Sequence, residues 1–182
     1  LTGFLSQQFG QDKPLSVSAR LCFEQTYSGV EGDSASCAEL CCLLSSLAEL
    51  PLRQDIAITG SVNQRGQVQP VGGINEKIEG FFEVCQQAGL TGEQGVIIPS
   101  RNTQNLMLDR EVQDAVDDGD FHIYAVDTAR EAVEILTGWP AGERQDDGTF
   151  PSDTVFGKAD ERLREMADIL QEFGAGNGDE ED

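Results

Sequence analysis

Gly32-Asp33-Ser34-Ala35-Ser36 opens a run in which Cys37, Leu40, Cys41, Leu44, Leu47 and Ala48 recur at the i, i+3, i+4, i+7 spacing of one buried helical face. Asp33 and Ser34 therefore sit at a helix start. The first N–H groups of a helix lack intrahelical partners and carry the positive end of its dipole, so an oxyanion forming beside Ser34 would find donors at the Ser34 and Ala35 amides. Two readings follow from this stretch: Ser34 is a nucleophile, or Asp33 and Ser34 simply cap the helix.

A second stretch, Gly72-Gly73-Ile74-Asn75-Glu76-Lys77, has the same form. Ile74, Ile78, Phe81, Phe82 and Cys85 mark an amphipathic helix, entered through a glycine pair that permits positive φ or close backbone approach. Lys77 lies in its first turn. The dipole there disfavours an ammonium, and apolar neighbours would desolvate it, so a lowered pKa and a role as base are expected; a solvated surface lysine is the alternative. The single histidine, His122, lies in a strand-like Phe121-His122-Ile123-Tyr124, which leaves a Ser/His/Asp triad with nothing else to rest on. Of the three lysines, Lys13 adjoins Pro14 in a polar turn and Lys158 falls on a charged helix, so Lys77 alone has a setting suited to a base.

The run Gly29-Val30-Glu31-Gly32-Asp33-Ser34-Ala35-Ser36, with Ile58-Thr59-Gly60-Ser61, Arg65-Gly66-Gln67-Val68-Gln69-Pro70-Val71-Gly72-Gly73 and Glu76-Lys77, resembles the proteolytic domain of Lon-type ATP-dependent proteases. The resemblance covers about Ser18 to Gly138, and that family separates its serine and lysine by the interval found here between Ser34 and Lys77. It implies Ser34 as nucleophile, Lys77 as base and Thr59 as the threonine that helps hold the lysine. Glu31 and Asp33 are accessory residues whose roles it leaves open. Asp33 and Ser36 stand where the best-known branch has proline and glycine, which places the chain nearer the archaeal and atypical bacterial branch; Ser61 replaces an acidic residue.

The implied fold is α+β (mixed α/β), similar to the second domain of a small-subunit ribosomal protein. Further implications are a serine endopeptidase acting on unfolded or damaged proteins, a hexameric ring, and ATP with magnesium at an ATPase module outside this chain. The phosphate-loop pattern GxxxxGK[ST] is absent. A non-catalytic binding or assembly module of the same fold is the competing function; the joint presence of Ser34 and Lys77 in their motifs favours the peptidase.

The other residues supply the frame. Leu1 to Gly10 reads as a short helix, Ser18 to Tyr27 as a strand with Leu21 and Phe23 on one face, and Asp55 to Thr59 as a buried strand. Asn63 to Gln67 reads as the turn of a hairpin between Ile56–Ile58 and Val68–Val71. Gly95 to Pro99 and Phe121 to Val126 are strands flanking a helix over Thr103 to Asp117, and Asp127 or Thr128 caps a helix stopped by Gly138 and Pro140. The expected organisation is a helix and turn over 1–17, the proteolytic domain over 18–138, a linker over 139–150, a C-terminal helix over 151–173 and a disordered acidic tail over 174–182. Ala159, Leu163, Met166, Leu170 and Phe173 form a stripe able to dock on the domain or on a neighbouring subunit.

Among 182 residues, 33 acidic against 12 basic give a net charge of −21, which argues against nucleic acid and anionic membrane surfaces as partners. Five cysteines without a CxxC read as reduced, buried thiols, and no metal is expected. No run is apolar enough for a signal peptide or membrane span, so the sequence reads as a module of a cytoplasmic protein.

Overall fold

A computed structural model of the chain describes residues 1–22 and 33–176. The predicted strand over Ser18 to Tyr27 is not formed at 18–22, where Leu21 and Cys22 are exposed; the rest of it lies outside the described residues.

Helix α1 (Thr2–Phe9) ends at Gly10, and α2 (Ser36–Ala48) buries every residue of the stripe read from the sequence. Strand β1 (Ile56–Ile58) is followed by a hairpin whose first strand is β2 (Ser61–Val62), not the expected 56–58, paired with β3 (Val68–Gln69), and then by α3 (Ile74–Ala88). Strand β4 (Gly95–Pro99), a 3-10 turn (Ser100–Asn105), α4 (Arg110–Asp117), β5 (His122–Val126), α5 (Ala129–Thr137) and α6 (Val155–Gly176) follow. The β1, β4 and β5 strands pair in that order, all parallel, Ile58 opposite Ile97 and Ile97 opposite Tyr124.

Parallel strands need cover on both faces. Successive residues of β4 alternate between the two: Ile97 packs with the α2, α5 and α6 side, where Leu40, Leu44, Val133 and Phe156 lie. Val96 and Ile98 pack with Ile78 and Phe82 of α3 and Val112 of α4. The result is a mixed α/β layering in which helices cover both sides of a small sheet.

The hairpin turns on Asn63, whose side-chain oxygen accepts from the Arg65 and Gln67 amides. It is tied to the sheet where Val68 N–H donates to Asp127 O at 2.8 Å and Ala129 N–H to Gly66 O at 2.8 Å. The single helix expected over Thr103 to Asp117 is broken at 106–109. Asn75 accepts from Met107 N–H and Glu79 from Asp109 N–H, so side chains of α3 capture amides that a continuous helix would use internally. At α5 the Thr128 hydroxyl and the Glu131 side chain form a capping box, and Gly138 closes the helix in a left-handed conformation.

Residues flanking the sheet are also woven into the core. Phe9, Phe150 and Phe156 form a ring triad with centroids 5.7 to 5.8 Å apart, and Phe4 packs on Phe156. Lys13, expected in a polar turn, instead makes an ion pair of 2.6 Å with Asp160 of α6, side chains 10% and 8% exposed. Arg164 bridges Asp160 and Asp12. Within 139–150, Ala141 and Phe150 are buried, and the carbonyls of Pro140 and Ala141 accept from Val155 and Phe156 at the start of α6. The α6 stripe docks through Ala159, Leu163 and Met166, whereas Leu170 and Phe173 are exposed. Among the described residues no helix is long and apolar enough to cross a membrane.

Candidate active site

Residues 59–62, from the end of β1 through β2, run along the turn that precedes α2 and the start of that helix, and bind them at successive positions. Gly60 N–H donates to Ser34 O at 2.8 Å, Cys37 N–H donates to Gly60 O at 3.1 Å, and Val62 N–H donates to Ser36 Oγ at 3.0 Å. Packing of this residue against β3 needs a glycine: a Cβ on Gly60 would lie 2.8 Å from Val68 Cγ1.

The capping alternative is not met. Ala35 is the N-cap of α2 and no side chain caps the helix; Asp33 accepts from Ser61 Oγ at 2.8 Å instead. The Ser34 side chain is thus not spent on the helix. Among the described residues the Ser34 and Ala35 amides donate to no backbone carbonyl.

The lysine comes from the opposite face of the sheet. Gly73, at φ 64°, is the left-handed N-cap of α3, a conformation that favours glycine; Gly72 has ordinary φ and open space around it. Asn102, buried after β4, fixes the approach by donating to Val71 O and accepting from Val71 N–H. With Ile74, Ile78, Phe82 and Cys85 turned to the sheet, Lys77 falls off the buried stripe. The expected desolvation is not found, because Lys77 is exposed. Its ammonium reaches across to Thr59 Oγ1 at 3.4 Å, and the Thr59 hydroxyl donates to Ser34 O at 3.4 Å.

Ser34, Ala35, Ala57, Ile58, Thr59, Lys77 and Val96 line one pocket of about 270 Å³. Three sequence-predicted residues, 34, 59 and 77, therefore meet, although no hydrogen bond joins Ser34 Oγ to Lys77 Nζ among the described residues. Asp33 stands beside the pocket, bonded to Ser61, and Glu31 lies outside the described residues. His122 takes no part: its Nε2 pairs with Gly92 O at 2.8 Å. The reading of five buried thiols holds for three. Cys37, Cys41 and Cys85 are buried, whereas Cys22 and Cys42 are exposed. A hydrogen bond with Cys37, then burial, raises the Cys41 thiol well above its ordinary range, and burial raises Cys85. Ser61 was not legible as a site residue, since nothing in the sequence pairs it with Asp33.

A hydroxyl, an intervening threonine and a lysine gathered at the edge of a parallel sheet have the layout of a serine-lysine hydrolase. The chain belongs to the family of the Lon protease (S16) C-terminal proteolytic domain, whose sequence model matches residues 27–137. It is 54% identical over 136 residues to a Lon protease homolog of Escherichia coli (strain K12), covering 75% of this chain and 23% of that protein. A Lon protease homolog of Haemophilus influenzae is 48% identical over 154 residues, or 85% and 26% of the two chains. The archaeal Lon protease of Thermococcus kodakarensis is 40% identical over 113 residues, or 62% and 16%. The chain thus spans about a quarter of the length of the first two relatives.

Proposed function

We propose that this chain is the proteolytic module of an ATP-dependent Lon-type serine endopeptidase, with Ser34 as nucleophile and Lys77 as general base. The observation that carries the reading is the meeting of Ser34, Thr59 and Lys77 in one pocket. In the first half-reaction, neutral Lys77 takes the Ser34 hydroxyl proton as Oγ bonds to the peptide carbonyl carbon, and the Ser34 and Ala35 amides hold the resulting oxyanion. As the intermediate collapses the C–N bond breaks, and Lys77 returns its proton to the leaving amine. Lys77 then takes a proton from water, which attacks the ester; the carboxylic acid leaves and Ser34 regains its proton.

This chemistry requires Nζ to swing from Thr59 to Ser34 Oγ, a rotation that a flexible four-carbon stem allows. Catalytic hydrogen bonds commonly close only with substrate in place. Thr59, in contact with both residues, is the natural parking point for the Lys77 amine between turnovers.

The substrates are unfolded or damaged polypeptides. Unfolding is the work of an ATPase module that holds ATP and magnesium outside these residues, and the assembly is a cytoplasmic hexameric ring. Ser34→Ala in the intact protein should abolish cleavage of a casein-like substrate with the fold retained; cleavage at the parent rate would overturn the assignment.

A further inference from the structure

Asp33 directly precedes the serine, and its carboxylate accepts the Ser61 hydroxyl at 2.8 Å. Ser61 is 5% exposed at the start of β2 and does not line the pocket, and its hydroxyl reaches the serine's segment through Asp33. The other ties between the two segments near the serine reach Ser34 O, Cys37 or Ser36: Gly60 N–H and the Thr59 hydroxyl to Ser34 O, Cys37 N–H to Gly60 O and Val62 N–H to Ser36 Oγ. These ties hold the serine's carbonyl and the helix that follows. Among the described residues, the Ser61–Asp33 bond is the tie from a side chain of β2 to the residue before the nucleophile.

A hydroxyl donated to a carboxylate is a charge-assisted bond, stronger than its neutral counterpart. It fixes the chain entering the Ser34 turn, while Gly60 fixes the chain leaving it. The direction in which Ser34 Oγ leaves the backbone is set by that pair of anchors, and reactivity falls steeply when a reacting atom is displaced by even an ångström.

We infer that Ser61 is a positioning residue for Ser34, acting through the Asp33 carboxylate. The inference rests on the peptidase reading of Ser34. The test compares the intact parent, Ser61→Ala, Asp33→Ala and the double variant by rate of Ser34 labelling with a fluorophosphonate probe and by peptide kcat and KM. Rates are scaled to the folded fraction read from thermal melts. Each single change should slow labelling and kcat roughly 10- to 100-fold with KM moved less than about twofold, and the double variant should be no slower than the slower single. Labelling of Ser61→Ala at the parent rate, losses that multiply in the double variant, or a change confined to KM would overturn the positioning role alone. A parent that does not label at Ser34 would overturn the peptidase reading and this inference with it.

Discussion

The Gly60 amide donates to the Ser34 carbonyl at 2.8 Å while the Gly60 carbonyl accepts from Cys37, so one residue locks both sides of the turn that presents the serine. A methyl group at Gly60 would meet Val68 at 2.8 Å. Gly60→Ala should therefore cost about 1 to 3 kcal/mol of stability by overpacking. Peptide cleavage should fall further than the loss of folded protein explains, which urea melts and turnover measured together would reveal.

Lys77→Arg should be as inactive as Lys77→Ala, because a guanidinium keeps the charge but cannot give up a proton near neutrality. His122→Gln should cleave at close to the parent rate, since His122 is occupied with Gly92. Activity in Lys77→Arg, or loss of activity in a folded His122→Gln, would contradict the serine-lysine mechanism.

Maleimide should label Cys22 and Cys42 and spare Cys37, Cys41 and Cys85, which are buried, the last two with raised pKa values. Turnover should survive the two labels. Mass mapping of the native protein, with activity measured on the same sample, checks both parts.

Acid should weaken the fold through Asp55 and Asp12. The hydrogen bonds from Arg53 and from Arg164, respectively, hold these carboxyls below the ordinary value. A lowered folded-state pKa gives stability that is complete above the unfolded value of about 4 and is lost as pH falls through the folded one. Both pairs are partly solvated, so each effect is modest. The loss of urea midpoint between pH 6 and pH 3 should be smaller in Arg53→Gln and Arg164→Gln than in the parent.

Lys13→Ala should cost on the order of 3 kcal/mol, because it leaves Asp160 buried with one of its two cations gone. The chemical-denaturation midpoint measures it. A surface lysine of the kind the sequence suggested would lower it by less than about 1 kcal/mol.

Elements defined by local chemistry were legible in the sequence: the stripe of α2, the Asn63 turn, and the Thr128 and Gly138 limits of α5 all depend on residues a few positions apart. The helix-start motifs and the scarcity of competing bases singled out the serine and lysine, and the resemblance to the family's motifs and spacing joined them as a pair. What escaped depends on distant partners. The break at 106–109 is made by Asn75 and Glu79 reaching from α3, and the Lys13–Asp160 pair spans 147 positions. Ser61 and Asp33 are 28 positions apart with no periodic signature, and the exposure of Lys77 follows from which face of α3 the sheet claims.

The ring triad of Phe9, Phe150 and Phe156 lies wholly outside the stretch matched by the family, one member before it and two after. The two flanks meet as a clasp behind the α2 face of the sheet. A graft that moves only residues 27–137 into another protein would carry the serine and lysine but leave this clasp behind, exposing the apolar surface that Phe4, Phe9, Phe150 and Phe156 cover. The transferable unit for chimeras is therefore the matched stretch together with both of its flanks.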